Sequence, residues 1–66
     1  MAIVSTRTVS GIDLLVLRKT AGLRQEDVAS VMGVARSRIA ALEAQYRPAS
    51  TAVKRYVNAV EQATSQ

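Results

Sequence analysis

The chain of 66 residues contains no cysteine and no histidine. Disulfides and thiolate metal sites are therefore excluded, and so are the nucleophile–base pairs that most often carry out covalent catalysis. The five Asp and Glu residues are scattered, and no glycine-rich phosphate-binding loop is present. These absences predict a protein that is not an enzyme and that uses neither a metal nor a cofactor.

Aromatic residues are also scarce, since Tyr46 and Tyr56 are the only two. Proteins that bind RNA or single strands usually stack bases on aromatic side chains, so among nucleic acids duplex DNA is favoured. No apolar run approaches the roughly 18 residues that a membrane span needs. The start, MAIVSTRTVSG, lacks the apolar segment of a secretory signal. We expect a soluble cytoplasmic protein with no membrane partner.

The residues that are present indicate one small folded domain with a basic surface. Apolar residues make up 48% of the chain, which is enough for a core and too much for disorder. Nine Lys and Arg residues outweigh five acidic ones, giving a net charge of +4. An excess of positive charge on a small domain suggests a polyanionic partner.

The stretch from Gln25 to Glu43, QEDVASVMGVARSRIAALE, has the pattern of two short helices joined by a tight turn. With Gln25 as position one, Ala29 stands at position five, where the second helix crosses close above the first. Gly33 stands at position nine, where a positive φ suits glycine. The positions that fix the angle between the helices are all apolar: Val28, Met32, Val34, Ile39 and Leu42. In such a helix-turn-helix the second helix presents its outer face to a DNA major groove.

Helix signals on both sides of this stretch predict an all-α domain of four helices. Ser10 suits the N-cap of the first helix, with Asp13 placed as in a capping box, and Gly22 suits its left-handed end. Ser50 or Thr51 can cap the fourth helix. The predicted helices cover residues 11–20, 25–32 and 36–44, and the fourth follows that cap and runs to about Gln62. The predicted organisation is an extended N-terminal arm over residues 1–9, the domain over 10–62 and a tail over 63–66.

The segment LRKTAGLRQEDVASVMGVARSRIAALEAQYRP, residues 17–48, resembles the phage repressor and Cro (Xre-type) family of DNA-binding domains, most closely over LRQEDVASVMGVARSRIAAL. The resemblance implies a compact lambda-repressor-like domain that binds an operator in the major groove of double-stranded DNA as a homodimer and represses transcription. It also implies the cytoplasm of a bacterial cell or a phage-infected host. Family domains often have a fifth helix, so the four helices predicted here correspond to a truncated five-helix form.

The resemblance also implies roles for residues of the second helix and of the third, the recognition helix. Gln25 matches a glutamine that bonds a DNA phosphate and braces the recognition helix. Arg36 and Ser37 match exposed first-turn positions that reach base edges, and Ala41 faces the groove one turn later. Arg47 follows the recognition helix, where basic residues meet phosphates.

The resemblance further implies that Arg18 and Glu43 form a structural ion pair. Arg38 points to one flank of the recognition helix and is predicted to contact a phosphate. The sequence departs from the family at Arg24 and Ala35, where a small polar N-cap is usual. Because Ala is a poor cap, we expect the start of the third helix to be completed by DNA phosphates. On the fourth helix, Lys54 and Arg55 are interpreted as solvated side chains.

The first helix carries more apolar surface than one core face uses. Its core face is predicted from the family's core positions to comprise Leu14, Leu17 and Ala21. A second apolar stripe comprises Ile12, Leu15 and Val16. Either the apolar residues of the arm fold back over this stripe, or a second copy of the chain covers it. We favour the dimer, in which the arm and the stripe both take part.

Two alternative functions have other partners. The stretch TAVKRYVNAV, residues 51–60, also resembles the fourth helix of some antitoxins, which share the DNA-binding fold, autoregulate their operons and bind a toxin. A helix-turn-helix adaptor would instead bind only protein, for example another regulator. Arg36, Arg38 and the net charge of +4 argue against the adaptor, which should show no salt-dependent shift of duplex DNA.

Overall fold

Four helices account for most of residues 9–65, which are the residues that the computed structural model describes. Their bounds are α1 Gly11–Thr20, α2 Gln25–Met32, α3 Arg36–Ala44 and α4 Ser50–Thr64. This part of the chain contains no β-strand, so the prediction of an all-α, four-helix domain is confirmed. The predicted extended arm lies outside the described residues, except for Val9, which packs against the core.

The core lies at the centre of the four helices, because α1 and α2 each pack on both α3 and α4. Val28 and Ile39 are fully buried, and Ala29 lies beside them, as the helix-turn-helix spacing predicts. The buried apolar residues are Leu14, Val28, Ala29, Ile39, Leu42, Val53, Tyr56, Ala59 and Val60. Among the described helices, none is both long and apolar enough to cross a membrane.

The turn between α2 and α3 has the geometry that its glycine predicts. Gly33 has a φ of 73°, a left-handed conformation that side chains with a Cβ resist. The amide of Val34 then donates to the carbonyl oxygen of Ala29 over 3.0 Å. This bond closes the end of α2 and sets the direction in which α3 leaves the turn.

The start of α1 packs directly on the end of α3. The amide of Gly11 donates to the carbonyl oxygen of Gln45 over 2.8 Å. A Cβ at Gly11 would overlap the carbonyl oxygens of both Glu43 and Gln45. This position therefore requires glycine because of the neighbouring backbone, and the close approach fixes α1 against α3.

On α1 the predicted core face is wrong in one position. Leu17 is 37% exposed, whereas Gly11, Leu14 and Arg18 form the buried line. Successive helical residues differ by about 100° in direction, so an inward Arg18 turns Leu17 outward. The requirement of Arg18 for a buried partner determines how α1 is rotated about its axis.

The ends of α4 also differ from the prediction. Its N-cap is Ala49, whose carbonyl oxygen accepts from the amide of Val53 over 2.9 Å, so neither Ser50 nor Thr51 caps the helix. At the other end α4 continues to Thr64, two residues beyond the predicted Gln62. No glycine or proline follows Pro48 to interrupt it, and the Thr64 hydroxyl donates to the carbonyl oxygen of Val60.

Candidate nucleic-acid interface

The outer face of α3 is open to solvent. Arg36, Ser37, Arg38 and Ala41 are all exposed, and the opposite face is buried through Ile39 and Leu42. Cationic and hydroxyl side chains on a rigidly backed helix can enter a groove and bond to bases and phosphates. The structure thus places four of the predicted contact residues on one accessible surface.

The first turn of α3 lacks the groups that usually complete a helix start. Ala35 is its N-cap and offers no side-chain bond, and no acidic residue lies in the first turn. In contrast, Asp13 lies in the first turn of α1, and Glu26 and Asp27 lie in that of α2. The positive end of the α3 dipole is therefore not balanced by a carboxylate of its own helix.

Gln25, the first residue of α2, bridges the outer face of α3 to the interior. Its side-chain oxygen accepts from Nη1 of Arg36 over 2.9 Å, and its Nε2 donates to Oε1 of Glu43 over 3.0 Å. A carboxylate can only accept hydrogen bonds, so Nε2 must face Glu43 and the amide oxygen must face Arg36. The buried carboxylate thereby determines which way the Gln25 amide points.

Glu43 and Arg18 form a buried ion pair, the arrangement that the resemblance implies. Nε of Arg18 donates to Oε2 of Glu43 over 2.7 Å, and Nη2 donates to Oε1 over 3.2 Å. The two residues are 5% and 6% exposed. Nη1 of Arg18 also donates to the carbonyl oxygen of Leu23 over 2.9 Å. The pair thus holds α1, α3 and the loop before α2 together.

The pKa of Glu43 reflects these neighbours. Burial by itself raises the pKa of this carboxyl, but hydrogen bonds from Arg18, Tyr56 and Gln25 outweigh burial and hold the pKa below its usual value. The hydrogen bond to Glu43 also raises the pKa of Arg18. Both side chains therefore stay charged inside the protein.

Tyr56 on α4 is a member of this network that is not among the site residues predicted from the sequence. Its hydroxyl donates to Oε2 of Glu43, and its pKa is raised by burial and by that hydrogen bond. A buried tyrosine hydroxyl needs a hydrogen-bond partner, which is the one sequence signal that pointed to a role beyond packing. The partner, Glu43, lies 13 residues away, and no periodicity predicts it.

Arg24, the other departure from the family pattern, is compensated within α2. Its side chain makes no capping bond at the helix start, but its backbone amide donates to the Asp27 carboxylate over 2.8 Å. This backbone bond, together with the Arg24 side chain, lowers the pKa of Asp27. The third residue of α2 thus supplies the capping that its N-cap lacks.

Arg47 lies apart from the network, in the loop between α3 and α4. Its guanidinium carbon lies 6.0 Å from the centre of the Tyr46 ring, and both side chains are exposed. That distance is at the limit of a cation–π contact. The loop presents a cation beside the end of α3, at the position where the resemblance implies a phosphate contact.

The predicted dimer residues of α1 divide between two environments. Ile12 and Val16 are 65% and 53% exposed, whereas Leu15 is half-buried. Val16 and Leu17 line a cavity of about 460 Å³ between α1 and α4, together with Val9 and Val57. The exposed apolar face of α1 therefore consists of Ile12, Val16 and Leu17.

In a comparison with known protein families, a family model described as helix-turn-helix matches residues 14–62. The matched range begins in α1, ends in α4 and includes the whole network around Glu43. No curated protein and no solved structure matches the chain significantly.

Proposed function

The chain belongs to the Cro/C1-type, Xre-like helix-turn-helix family of DNA-binding transcriptional regulators, and on this premise we propose that it is a repressor that binds a two-fold operator as a homodimer. One observation carries the proposal most directly. The first turn of α3 presents Arg36, Ser37 and Arg38 to solvent, with Arg36 held by Gln25 over 2.9 Å.

Arg36 is the residue that we propose reads a base. Its guanidinium can present two parallel N–H groups to O6 and N7 of guanine, the commonest specific contact in the major groove. The bond to Gln25 uses one N–H of Nη1 and leaves the other donors of the guanidinium available. A side chain held in place before binding loses less freedom when it binds.

The size of the molecule favours two copies on the DNA. Its principal dimensions are 27 × 25 × 17 Å, whereas the recognition helices of a dimer reach half-sites about 34 Å apart. One copy therefore reads one half-site. The exposed apolar face of α1 offers a surface that can bind a second copy of the chain. Because this surface lies on α1, the outer face of α3 remains free to contact DNA.

A binding assay with matched duplexes tests the proposal. Footprinting on the DNA that flanks the gene of this protein identifies an operator, and fluorescence anisotropy then compares it with a random duplex. Arg36→Ala should weaken operator binding by about 1–3 kcal/mol and random-duplex binding far less. Equal losses of affinity on both duplexes would show that Arg36 contacts only a phosphate and does not read a base.

The other functions predict different results in the same assay. A protein-binding adaptor shifts no duplex at any salt concentration, and that result would overturn the proposal. An antitoxin binds the operator of its own operon and also binds a toxin encoded beside it. Co-purification of such a partner with the operator-binding protein would replace the simple repressor by an autoregulating antitoxin.

A further inference from the structure

A small basic cleft lies between the recognition helix and α4, outside the network around Gln25. Its volume is about 190 Å³. Met32, Val34 and Leu42 contribute its apolar lining, whereas Arg38 of α3 and Arg55 and Thr51 of α4 contribute its polar groups. No acidic residue lines the cleft, so its two charges have the same sign.

The two arginines of the cleft differ from two others in the described chain. Arg18 and Arg24 are each ion-paired with carboxylates. Among residues 9–65, no carboxylate forms a salt bridge with Arg38 or Arg55. Two unpaired cations on one narrow cleft repel each other, and an anion placed between them relieves that repulsion.

The position of the cleft on α3 indicates which anion it meets. Arg36 and Arg38 are two residues apart and so differ by about 200° around the helix axis. They therefore occupy opposite flanks of the exposed face that Ser37 and Ala41 form. A helix in the major groove has one flank towards each sugar–phosphate wall. Its first residue, here Arg36, can also reach base edges from the N-terminal end of the helix.

We propose that Arg38 and Arg55 together hold one backbone phosphate of duplex DNA in this cleft, with the Thr51 hydroxyl as a third donor. This proposal rests on the proposed function and extends it to α4. The proposal assigns Arg55 as a DNA contact, whereas the sequence alone indicates a solvated side chain. The cleft binds the strand on the Arg38 flank, and the Gln25 side of α3 faces the opposite strand.

Lys54 provides a matched control for Arg55. It is the neighbouring residue on α4, it is exposed, and it carries the same charge. It lines a different hollow, formed with Val53, Val57 and Asn58. Lys54→Gln and Arg55→Gln therefore remove the same charge from two sides of one helix, and neither change removes a buried group.

The test maps phosphate contacts on a duplex that the wild-type protein selects from a random pool. Ethylation interference identifies the phosphates whose modification blocks binding. Arg38→Gln and Arg55→Gln should each lose interference at the same single phosphate, and Lys54→Gln should lose none. Arg55→Lys should retain the contact because it retains the charge.

Salt dependence gives a second and independent measure. The plot of log affinity against log salt concentration has a negative slope. The double variant Arg38→Gln with Arg55→Gln should make that slope shallower by about 0.9, the value for one phosphate. Lys54→Gln should leave the contribution of the cleft intact and the slope unchanged. Melting curves confirm that each variant is folded.

The outcomes separate the two proposals. A wild-type protein that selects no duplex would overturn the proposed function and the cleft together. If the wild type selects a duplex but Arg55→Gln shows the same ethylation interference at every phosphate, only the proposal of a phosphate site in the cleft is overturned. Loss of two different phosphates by the two variants would show that the arginines act separately, which also contradicts a shared site.

Discussion

At the scale of single residues, Gln25 links the outer surface of the protein to its interior through two hydrogen bonds. Its amide joins Arg36, which is exposed, to Glu43, which is buried. Glu43 keeps Arg18 and Tyr56 as partners whether or not Gln25 is present. Changes at Gln25 should therefore affect recognition more than stability.

Gln25→Ala should weaken operator binding by about 1–2 kcal/mol, because Arg36 loses the acceptor that orients it. The melting temperature should change little. Gln62→Ala, which removes an exposed glutamine from α4, serves as the control in the same anisotropy assay. If Gln25→Ala weakens operator and random duplexes equally, Gln25 contributes only a phosphate contact.

Glu43 should make the stability of the protein sensitive to acid. Its pKa in the folded protein lies below the ordinary value, which is about 4.3 in an unfolded chain. Its contribution is therefore fully present above about pH 4.3 and is lost as the pH falls through the folded pKa. Urea unfolding followed by circular dichroism at pH 7 and at pH 3 measures this loss.

The variant Glu43→Gln shows how much of the acid sensitivity comes from Glu43 and how much from the other acidic residues. The variant leaves Arg18 buried without a counter-charge, so it should lose about 3 kcal/mol of stability at neutral pH. It should also depend less on pH than the wild type. An unaltered pH dependence in the variant would assign the acid sensitivity to other carboxyls, of which Asp27 also has a lowered pKa.

At the scale of elements, α1 approaches α3 so closely that no Cβ fits at Gly11. Gly11→Ala should destabilise the domain by about 1–3 kcal/mol, because the new methyl group overlaps two carbonyl oxygens and pushes the helices apart. This expectation is opposite in sign to the effect of helix propensity alone, by which Ala in place of Gly stabilises a helix by about 1 kcal/mol. Thermal melting measures the change in stability.

Gly22→Ala is the control for that substitution. Gly22 has a φ of 75° and no neighbour near the position of a new Cβ. Its replacement should cost only the strain of a left-handed residue, about 1 kcal/mol. If Gly11→Ala proved neutral or stabilising, α1 would not be held against α3 in the way that the structure shows.

The helices could be predicted because their signals are local. Ser10 with Asp13, the left-handed Gly33 and the spacing of Val28 and Ile39 depend only on near neighbours in the chain. The rotation of α1 could not be predicted in the same way. It follows from an ion pair between Arg18 and Glu43, which are 25 residues apart, and a pattern of apolar residues alone places Leu17 inside.

The candidate site was predictable to a similar degree. Its exposed residues follow from the helix-turn-helix register, which places Arg36, Ser37 and Ala41 on the outer face. The links beneath them do not follow from it, because Gln25 to Glu43 and Glu43 to Tyr56 are contacts between helices. The cleft that pairs Arg38 with Arg55 likewise depends on how α4 packs beside α3.

At the scale of the whole molecule, the exposed apolar face of α1 should decide the oligomeric state. Ile12→Glu with Val16→Lys should leave the fold intact, since both residues are exposed, and should yield a monomer in sedimentation. Operator binding should weaken strongly because each half-site is then bound alone. The two changes cancel in net charge, so general attraction to DNA is preserved.

Val31→Glu with Asn58→Lys is a matched control on another surface. Both residues are exposed and line a hollow between α2 and α4, and the net charge is again unchanged. This variant should remain dimeric. If the Ile12→Glu, Val16→Lys variant remains dimeric, the α1 face is excluded as the dimer interface. If the wild-type protein is a monomer at tens of micromolar, the alternative in which the N-terminal arm covers the apolar face of α1 is favoured.

The bond between Arg36 and Gln25 also bears on how the target sequence of this protein can change. Ser37 and Ala41 are exposed and make no side-chain hydrogen bond within residues 9–65, so each can be varied alone in a redesign library. Arg36 is coupled through Gln25 to the carboxylate of Glu43. Replacement of Arg36 by a residue that cannot donate leaves the Gln25 amide oxygen without its donor, so positions 25 and 36 should be randomised together.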